Sequence, residues 1–498
     1  MDTTLRDGEQ TSGVAFLDSE KLNIARLLLS EVKVDRIEVA SAKVSDGEFM
    51  AAKKIIDYAR RNNMLEKVEI LGFIDGTASI DWIVKAGGKV VNLLTKGSLK
   101  HVEGQLKKTP AQHLANIKES IAYAKSHKLL INIYLEDWSN GMRDSRDYVF
   151  FLVDNLKDEP IERFMLPDTL GVLNQDETFE FCTLMLQRYP GLHFDFHAHN
   201  DYDLATANVY AAAKAGVKGI HTTVNGLGER AGNVPLTSVV AVLKDQLKYE
   251  LTINELSIYK ASKIVETFSG IRIPHNKPLI GENVFTQTCG VHADGDNKNM
   301  LYYNDLLPER FGRTRQYALG KTSGKANIMK NLEEMGIELN AEETRLVTQR
   351  VIELGDKKAN VTQEDLPYII ADVLNSEIIQ SKIRIINYSL HVAKGLRSSA
   401  TLSIEINGKA YEETASGDGQ YDAFMNALKT VYAKIEKKIP QLVDYYVSIP
   451  PGGRTDALVE AVIIWDDGTR EFKTRALDPD QTTAAIVATT KMLNIIEG

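Results

Sequence analysis

The feature that most constrains the fold of this chain is the regular alternation of short β-rich runs with amphipathic helical stretches over residues 1–246. Eight strands that each lead into a helix are typical of a (β/α)8 TIM barrel, and a doubly wound sheet rarely has so many even units. We therefore predict an α/β fold built on a TIM barrel. The predicted strands are residues 2–5, 34–40, 68–73, 90–94, 129–136, 163–166, 193–197 and 219–224. The clearest helical patterns are residues 19–29, 47–60, 110–126, 175–188 and 204–215.

Polar residues follow the carboxyl ends of several predicted strands, which is where TIM-barrel enzymes carry their active sites. This set comprises Arg6, Asp7, Glu136, Asp168, Thr169, His197, His199 and Asn225. Side chains on a strand alternate between its two faces, so His197 and His199 point to the same side and can reach one ion. Taken alone, a strand histidine is more often structural, and Asp7 could cap a turn. If the fold brings the two segments together, we expect a His/His/Asp metal site with Arg6 beside it.

Composition and charge exclude several classes of protein. The net charge is −9 and the Lys and Arg residues are scattered, which argues against nucleic acid as the main partner. The two cysteines, Cys182 and Cys289, provide neither a disulfide framework nor a cysteine metal site. Without a signal peptide or an apolar stretch near the ~20 residues of a membrane span, we expect a cytoplasmic protein with no membrane partner. Because Met1 directly precedes the strand-end motif, the sequence leaves open whether it starts inside a longer natural chain.

The sequence pattern predicts three domains. Residues 1–250 form the catalytic barrel, and residues 251–380 form helical linker subdomains with a catalytic lid. Within the linker, we interpret the segment Gly-Val-His-Ala-Asp-Gly-Asp at 290–296 as a loop, either a surface turn or a lid. Residues 381–498 form a C-terminal α+β domain.

An internal duplication marks the C-terminal domain. Two βββα units each carry a Gly- or Asp-rich turn at a helix start, at residues 417–423 and 478–485. Their predicted strands are residues 389–396, 400–406 and 410–414, then 444–449, 457–465 and 471–475. This repeat favours a small-ligand sensor with pseudo-two-fold symmetry, and a plain dimerisation module is the alternative.

Three motifs are similar to those of the α-isopropylmalate synthase and homocitrate synthase family, whose members are acetyl-CoA-dependent TIM-barrel enzymes with a metal site. They are Thr-Leu-Arg-Asp-Gly-Glu-Gln at 4–10, His-Ala-His-Asn-Asp at 197–201 and Asn-Gly-Leu-Gly-Glu-Arg-Ala-Gly-Asn at 225–233. The order of barrel, helical linker and duplicated domain also resembles the family, so the similarity covers essentially the whole chain. It implies a Claisen-type condensation, in which the methyl carbon of acetyl-CoA adds to the keto carbon of a 2-oxo acid and CoA is released. Segments 134–141 and 290–296 resemble the branch of the family that makes (R)-citramalate.

The resemblance also implies a metal site and a charge-stabilising residue. The metal ligands would be Asp7, His197 and His199, with Asn233 as a fourth. Hard oxygen and imidazole donors suit Mn²⁺, Mg²⁺ or Zn²⁺ and do not choose among them. A 2-oxo acid can chelate such an ion, which then polarises the keto carbonyl. Arg6 would stabilise the developing alkoxide.

Acid–base residues and substrate contacts complete the expected site. By resemblance, His292 and Tyr302 of the linker act with Glu136 of the barrel to deprotonate acetyl-CoA, although His292 taken alone is an ordinary loop histidine. Thr169 would hold the substrate carboxylate, and Asp294 would also bind substrate. Because the linker can reach over a neighbouring barrel, we expect a homodimer with shared sites.

Three bulky residues, Leu71, Leu94 and Tyr134, match positions that fill the 2-oxo acid pocket in the citramalate-forming branch, although without the family they would be ordinary core residues. They leave room for the methyl group of pyruvate and crowd the isopropyl group of 2-oxoisovalerate. Such a pocket discriminates by about 1–3 kcal/mol per methylene. We therefore expect (R)-citramalate formation, with 2-isopropylmalate synthesis in leucine biosynthesis as the alternative.

The duplicated domain is expected to bind a branched-chain amino acid as a feedback inhibitor. Its carboxylate would meet free N–H groups at the helix starts. The inhibitor would be isoleucine if the product is citramalate, and leucine otherwise. Two further functions stay open, a C–C lyase, which resembles the barrel alone, and a non-catalytic amino-acid sensor, which would not need the full ligand set.

Overall fold

The computed structural model describes residues 1–356, 361, 363–374, 383–448 and 459–497 of the chain. The chain forms two compact units. The first comprises Met1–Thr286 and Tyr303–Arg315, and the second comprises Gln287–Tyr302 and Gln316–Gly498.

Parallel strands form the centre of the first unit, hydrogen-bonded in the order β1 to β7. They are β1 (Ile37–Ser41), β2 (Val68–Phe73), β3 (Val90–Lys96), β4 (Leu130–Glu136), β5 (Arg163–Asp168), β6 (Phe194–Ala198) and β7 (Gly219–His221). Asp2 closes the ring, because it bridges in parallel both to Ile37 of β1 and to Thr222 directly after β7. The predicted TIM barrel is therefore confirmed, with one bridging residue in place of its first strand.

The predicted strand 2–5 is wrong beyond that bridge. The backbone N–H groups of Arg6, Asp7 and Gly8 all donate to the carbonyl oxygen of Thr3, at 3.1, 2.8 and 3.1 Å. Three donors converging on one acceptor turn the chain sharply, so it cannot continue as a strand. The turn sets Arg6 and Asp7 side by side at one end of the barrel.

Helices alternate with the strands along the first unit. They are α1 (Asp18–Arg26), α2 (Asp46–Arg61), α3 (Ala78–Ala86), α4 (Pro110–Ser126), α5 (Trp138–Asp144), α6 (Arg146–Leu156), α7 (Gln175–Arg188), α8 (Ala205–Ala215), α9 (Leu236–Ala241) and α10 (Ile258–Ser269). Thr109 and Gln112 form a capping box before α4, and Pro110 occupies its first position. The predicted bounds of α4 and α7 are confirmed residue for residue.

The barrel strands are buried on both faces, as in other parallel sheets enclosed by helices. Polar side chains without solvent exposure lie inside the barrel, and we call Glu38, Glu69, Asn92, Asn132 and Asp195 the polar layer. Hydrogen bonds join members from strands that are not neighbours, such as β1 to β3, which places these side chains in the barrel interior.

Helices make up most of the N-terminal part of the second unit, as predicted for the linker. The elements around the boundary and within it are β8 (Thr286–Gln287), α11 (Gly290–Asn299), β9 (Gln316–Tyr317), α12 (Lys325–Glu334), α13 (Ala341–Asp356) and α14 (Leu366–Leu374). The predicted loop 290–296 is instead the first part of α11. Its glycines allow close packing: a Cβ on Gly290 would lie 2.7 Å from Gly324, and one on Gly295 would lie 2.5 Å from the ring of Tyr302.

The duplication in the C-terminal domain is confirmed. Two antiparallel three-stranded sheets are each followed by a helix. They are β10 (Ile383–His391), β11 (Ser398–Ile406), β12 (Lys409–Gly417) and α15 (Gln420–Lys434), then β13 (Gln441–Ser448), β14 (Val459–Asp466), β15 (Glu471–Asp478) and α16 (Gln481–Glu497). The predicted strand 389–396 is wrong in its second half, because the chain turns at Gly395, whose φ is +83°. Parts of the predicted strands 444–449 and 457–465 lie outside the described residues.

Within the described residues, no helix is long and apolar enough to cross a membrane.

Candidate active site

A buried lysine anchors the turn that carries Arg6 and Asp7. Lys21 Nζ donates to the carbonyl oxygen of Leu5 at 3.0 Å and forms ion pairs with Glu9 at 2.6 Å and Glu48 at 2.7 Å. Its side chain is only 1% exposed, so the turn is held from inside the fold.

Asp7, His197 and His199 converge on one point at the carboxyl ends of the strands. Asp7 Oδ2 lies 3.0 Å from His197 Nε2 and 3.9 Å from His199 Nε2. One donor atom from each of the three residues lies within 4.8 Å of the others, and all three side chains are buried. This spacing suits three ligands of a single cation.

Asn233 lies next to this group through a backbone bridge to His199. Its Nδ2 donates to the carbonyl oxygen of Leu227 at 3.0 Å. Its Oδ1 is buried and, among the residues that the structure describes, has no hydrogen-bond donor. A buried carbonyl oxygen left in this way fits a cation ligand, since buried polar atoms otherwise find partners.

The electrostatics of Asp7 and His199 also suit a cation. Burial would raise the pKa of Asp7, but Arg6 and the two histidines hold that pKa well below its usual range. Burial lowers the pKa of His199 to about 4, so its ring is neutral near pH 7. A carboxylate and a neutral imidazole are the forms that bind metal.

Glu38, a member of the polar layer, fixes the position of Arg6. Its Oε2 accepts from Nε of Arg6 at 2.5 Å and lies 2.5 Å from Nη2, and its Oε1 accepts from Asn92 at 2.7 Å. Arg6 Nη1 lies 3.4 Å from Asp7. The guanidinium is thus clamped beside the candidate metal ligands. Sequence reasoning missed Glu38, although a charged residue in the middle of an apolar strand was an available signal.

A cavity of about 190 Å³ opens next to these residues. Its lining comprises Arg6, Asp7, Gln10, Ser41, Leu71, Phe73, Leu94, Tyr134, Glu136, Pro167, Thr169, His197, His199 and Glu229. The predicted pocket residues Leu71, Leu94 and Tyr134 pack together with Met165. A larger cavity of about 750 Å³ lies at the opposite end of the strands, beside Arg36 and Arg163, and contains none of the candidate ligands.

Two predicted residues on the cavity wall already have partners. Glu136 forms an ion pair with Lys96 at the end of β3, a residue that the sequence did not single out. Thr169 Oγ1 accepts a hydrogen bond from the backbone N–H of Asp137 at 2.9 Å. Because that bond uses a lone pair of the Thr169 hydroxyl, its hydrogen is left to donate to another group.

The remaining predicted residues, His292, Asp294 and Tyr302, belong to the second unit. The rings of His292 and Tyr302 pack with their centroids 4.1 Å apart. Asp294 is half exposed and forms an ion pair with Lys298 at 2.6 Å. The structure therefore groups these three on and directly after α11.

The fold and this site define a TIM-barrel enzyme with a candidate metal centre at the carboxyl ends of its strands. Residues 1–265 match the HMGL-like family model, residues 279–359 match the homocitrate synthase post-HMGL domain-like model, and residues 360–497 match the LeuA allosteric (dimerisation) domain model. The chain belongs to the HMGL-like family.

The names of the similar proteins fall into two groups, (R)-citramalate synthases and 2-isopropylmalate synthases. An (R)-citramalate synthase of Methanocaldococcus jannaschii is 33% identical, over 99% of this chain and 98% of that protein. A 2-isopropylmalate synthase of Sulfurisphaera tokodaii is 37% identical, over 72% of this chain and 92% of that protein. Identity alone therefore does not distinguish the two activities.

Proposed function

We propose that this protein is an (R)-citramalate synthase of isoleucine biosynthesis, which condenses acetyl-CoA with pyruvate and releases CoA when water hydrolyses the thioester of the condensation product. The observation that carries the proposal is the small cavity beside the candidate ligands, walled by Leu71, Leu94 and Tyr134. These three bulky side chains crowd the isopropyl group of 2-oxoisovalerate more than the methyl group of pyruvate, which favours pyruvate. The relative named 2-isopropylmalate synthase keeps that activity as the second candidate.

Asp7, His197, His199 and Asn233 are the residues that would hold a divalent cation, Mn²⁺, Mg²⁺ or Zn²⁺. A bound cation supplies Lewis-acid polarisation of the substrate carbonyl. Arg6, clamped by Glu38, presents its guanidinium to the oxygen on which negative charge develops.

Thr169 binds the 2-oxo acid, and Glu136 acts on the acetyl group of acetyl-CoA. The free hydrogen of the Thr169 hydroxyl donates to the carboxylate of the 2-oxo acid. Glu136 accepts the proton from the acetyl methyl group, and its ion pair with Lys96 holds the carboxylate in place. His292, Tyr302 and Asp294 serve the acetyl-CoA half of the reaction, in a homodimer with shared sites.

A panel of 2-oxo acids tests the proposal. Thiol release from acetyl-CoA is measured with pyruvate, 2-oxobutanoate and 2-oxoisovalerate, each with and without added Mn²⁺. We expect the highest kcat/KM with pyruvate, and greater activity with 2-oxoisovalerate would reassign the protein as a 2-isopropylmalate synthase. His197→Ala should abolish metal-dependent thiol release, and His127→Ala, at a surface histidine after α4, should not. Release that persists in His197→Ala would contradict the proposed site.

Feedback inhibition by a branched-chain amino acid is proposed for the C-terminal domain. Its two βββα repeats and the match to the LeuA allosteric domain model support this regulation. We expect isoleucine at millimolar concentration to inhibit thiol release and leucine to have less effect. Unchanged activity with both amino acids would contradict it.

A further inference from the structure

A chain of buried hydrogen bonds runs from the cavity wall into the barrel interior. The hydroxyl of Tyr134 lies 3.1 Å from His221 Nδ1, and His221 Nε2 lies 3.0 Å from Asp195 Oδ2. Asp195 also accepts from Arg36 at 2.7 Å and contacts His193 at 2.9 Å. Tyr134, His221 and Asp195 are each at most 3% exposed.

The partners fix the direction of these bonds. Asp195 meets a guanidinium and two imidazoles, so its carboxylate is the acceptor and His221 Nε2 is a donor. In the neutral imidazole the other nitrogen, Nδ1, then accepts from the hydroxyl of Tyr134. The hydroxyl hydrogen is therefore directed away from the cavity, and the tyrosine ring is tethered at its far end.

The tethered ring contacts both the candidate site and the other pocket residues. Its centroid lies 6.1 Å from that of His197, edge to face, and 6.0 Å from the guanidinium carbon of Arg6. It also packs with Leu71 and Met165. A ring that moved would change the cavity volume without removing any ligand.

We propose that His221, held by Asp195, is a positioning residue that fixes Tyr134 and thereby sets the upper size limit of the 2-oxo acid side chain. This inference rests on the proposed function and adds a determinant of substrate selection that does not itself touch the cavity. Asn at position 221 is too short to span from Asp195 to Tyr134, so His221→Asn releases the ring and keeps a polar group. Tyr134→Phe breaks the same tether from the other end and keeps the ring.

The test compares 2-oxobutanoate, which has one methylene more than pyruvate, with pyruvate itself. In both variants we expect the ratio of kcat/KM for 2-oxobutanoate over pyruvate to rise about fivefold or more, as for the loss of one buried hydrogen bond. The double variant should show no larger ratio than the single variants, because both changes cut one tether. Mn²⁺ binding, measured by calorimetry, should stay unchanged in Tyr134→Phe, which keeps both the tyrosine ring and the His221 ring that packs 5.4 Å from His197.

His193→Asn is the matched control, because His193 bonds the other oxygen of Asp195 and does not touch Tyr134. Its ratio should stay at the wild-type value, and an equal rise there would overturn the inference. An unchanged ratio in folded His221→Asn and Tyr134→Phe would overturn it as well. If His221→Asn does not fold, Tyr134→Phe decides alone. Wild-type protein that releases no CoA with any 2-oxo acid would instead refute the proposed function, so the two failures are distinguishable.

Discussion

Replacing Glu38 by Gln isolates the contribution of the Arg6 clamp. Both carboxylate oxygens of Glu38 accept, one from Arg6 and one from Asn92. Glutamine has one acceptor oxygen and one NH2 group, so one of these two contacts becomes donor against donor. Hydrogen bonds to charged groups contribute roughly 1.5–3 kcal/mol. If that stabilisation positions Arg6 for the transition state, kcat should fall roughly 10- to 100-fold, at 1.36 kcal/mol per factor of ten.

Glu69→Gln is the matched control for Glu38→Gln. Glu69 is equally buried and pairs with Arg36 at 3.0 Å and Arg163 at 3.3 Å, away from Arg6. Steady-state thiol release should show the fall in kcat for Glu38→Gln alone, with Mn²⁺ affinity retained in both variants. Equal loss in the two variants would show that barrel stability, not the placement of Arg6, limits the reaction. A wild-type kcat in folded Glu38→Gln would refute the clamp.

Two further predictions concern a ligand and the pH dependence of stability. Gly228 has a φ of +149°, and a Cβ there would lie 2.2 Å from Nδ2 of Asn233, so Gly228→Ala should displace this amide and weaken Mn²⁺ binding measured by calorimetry. Burial lowers the pKa of His113 to about 4, so between that value and 6.5 the unfolded chain binds more protons and stability falls as the pH falls. Urea unfolding should lose about 2 kcal/mol from this group between pH 7.5 and pH 5, and His113→Gln should lessen the slope; an unchanged slope would contradict it.

The barrel and most of its elements could be predicted because each strand or helix depends mainly on residues that are close together in the sequence. The capping box at Thr109 fixes the start of α4, and the alternation of strands and helices fixes the fold class. The predictions of a strand at 2–5 and of a loop at 290–296 were wrong because these two segments depend on contacts that the local pattern does not show. The turn after Thr3 depends on three donors sharing one carbonyl, and the glycines of α11 serve packing against Gly324 and Tyr302, which no local pattern reveals.

In the candidate site as well, local sequence patterns predicted some residues and missed those whose partners lie far away in the sequence. The spacing of His197 and His199 on one strand made their pairing predictable, and the structure brings Asp7 to them. Glu38 and His221 were missed because the partners of a polar residue within an apolar strand become known only when the barrel closes and brings β1, β3, β4 and β7 around one interior. Lys96 was missed for the same reason, since its partner Glu136 lies on the neighbouring strand.

The polar layer explains how one barrel can hold both the reactive groups and the pocket wall in place. From Arg6 the hydrogen bonds pass through Glu38, Asn92 and Asn132 to Arg163 and Glu69, then through Arg36 to Asp195, His221 and Tyr134. Buried charges of this kind cost more desolvation than apolar side chains of similar volume. The layer instead fixes the orientation of these charged side chains, because each of them has a defined hydrogen-bond partner. The arginine beside the metal ligands and the tyrosine on the pocket wall are thus held by one connected set of hydrogen bonds.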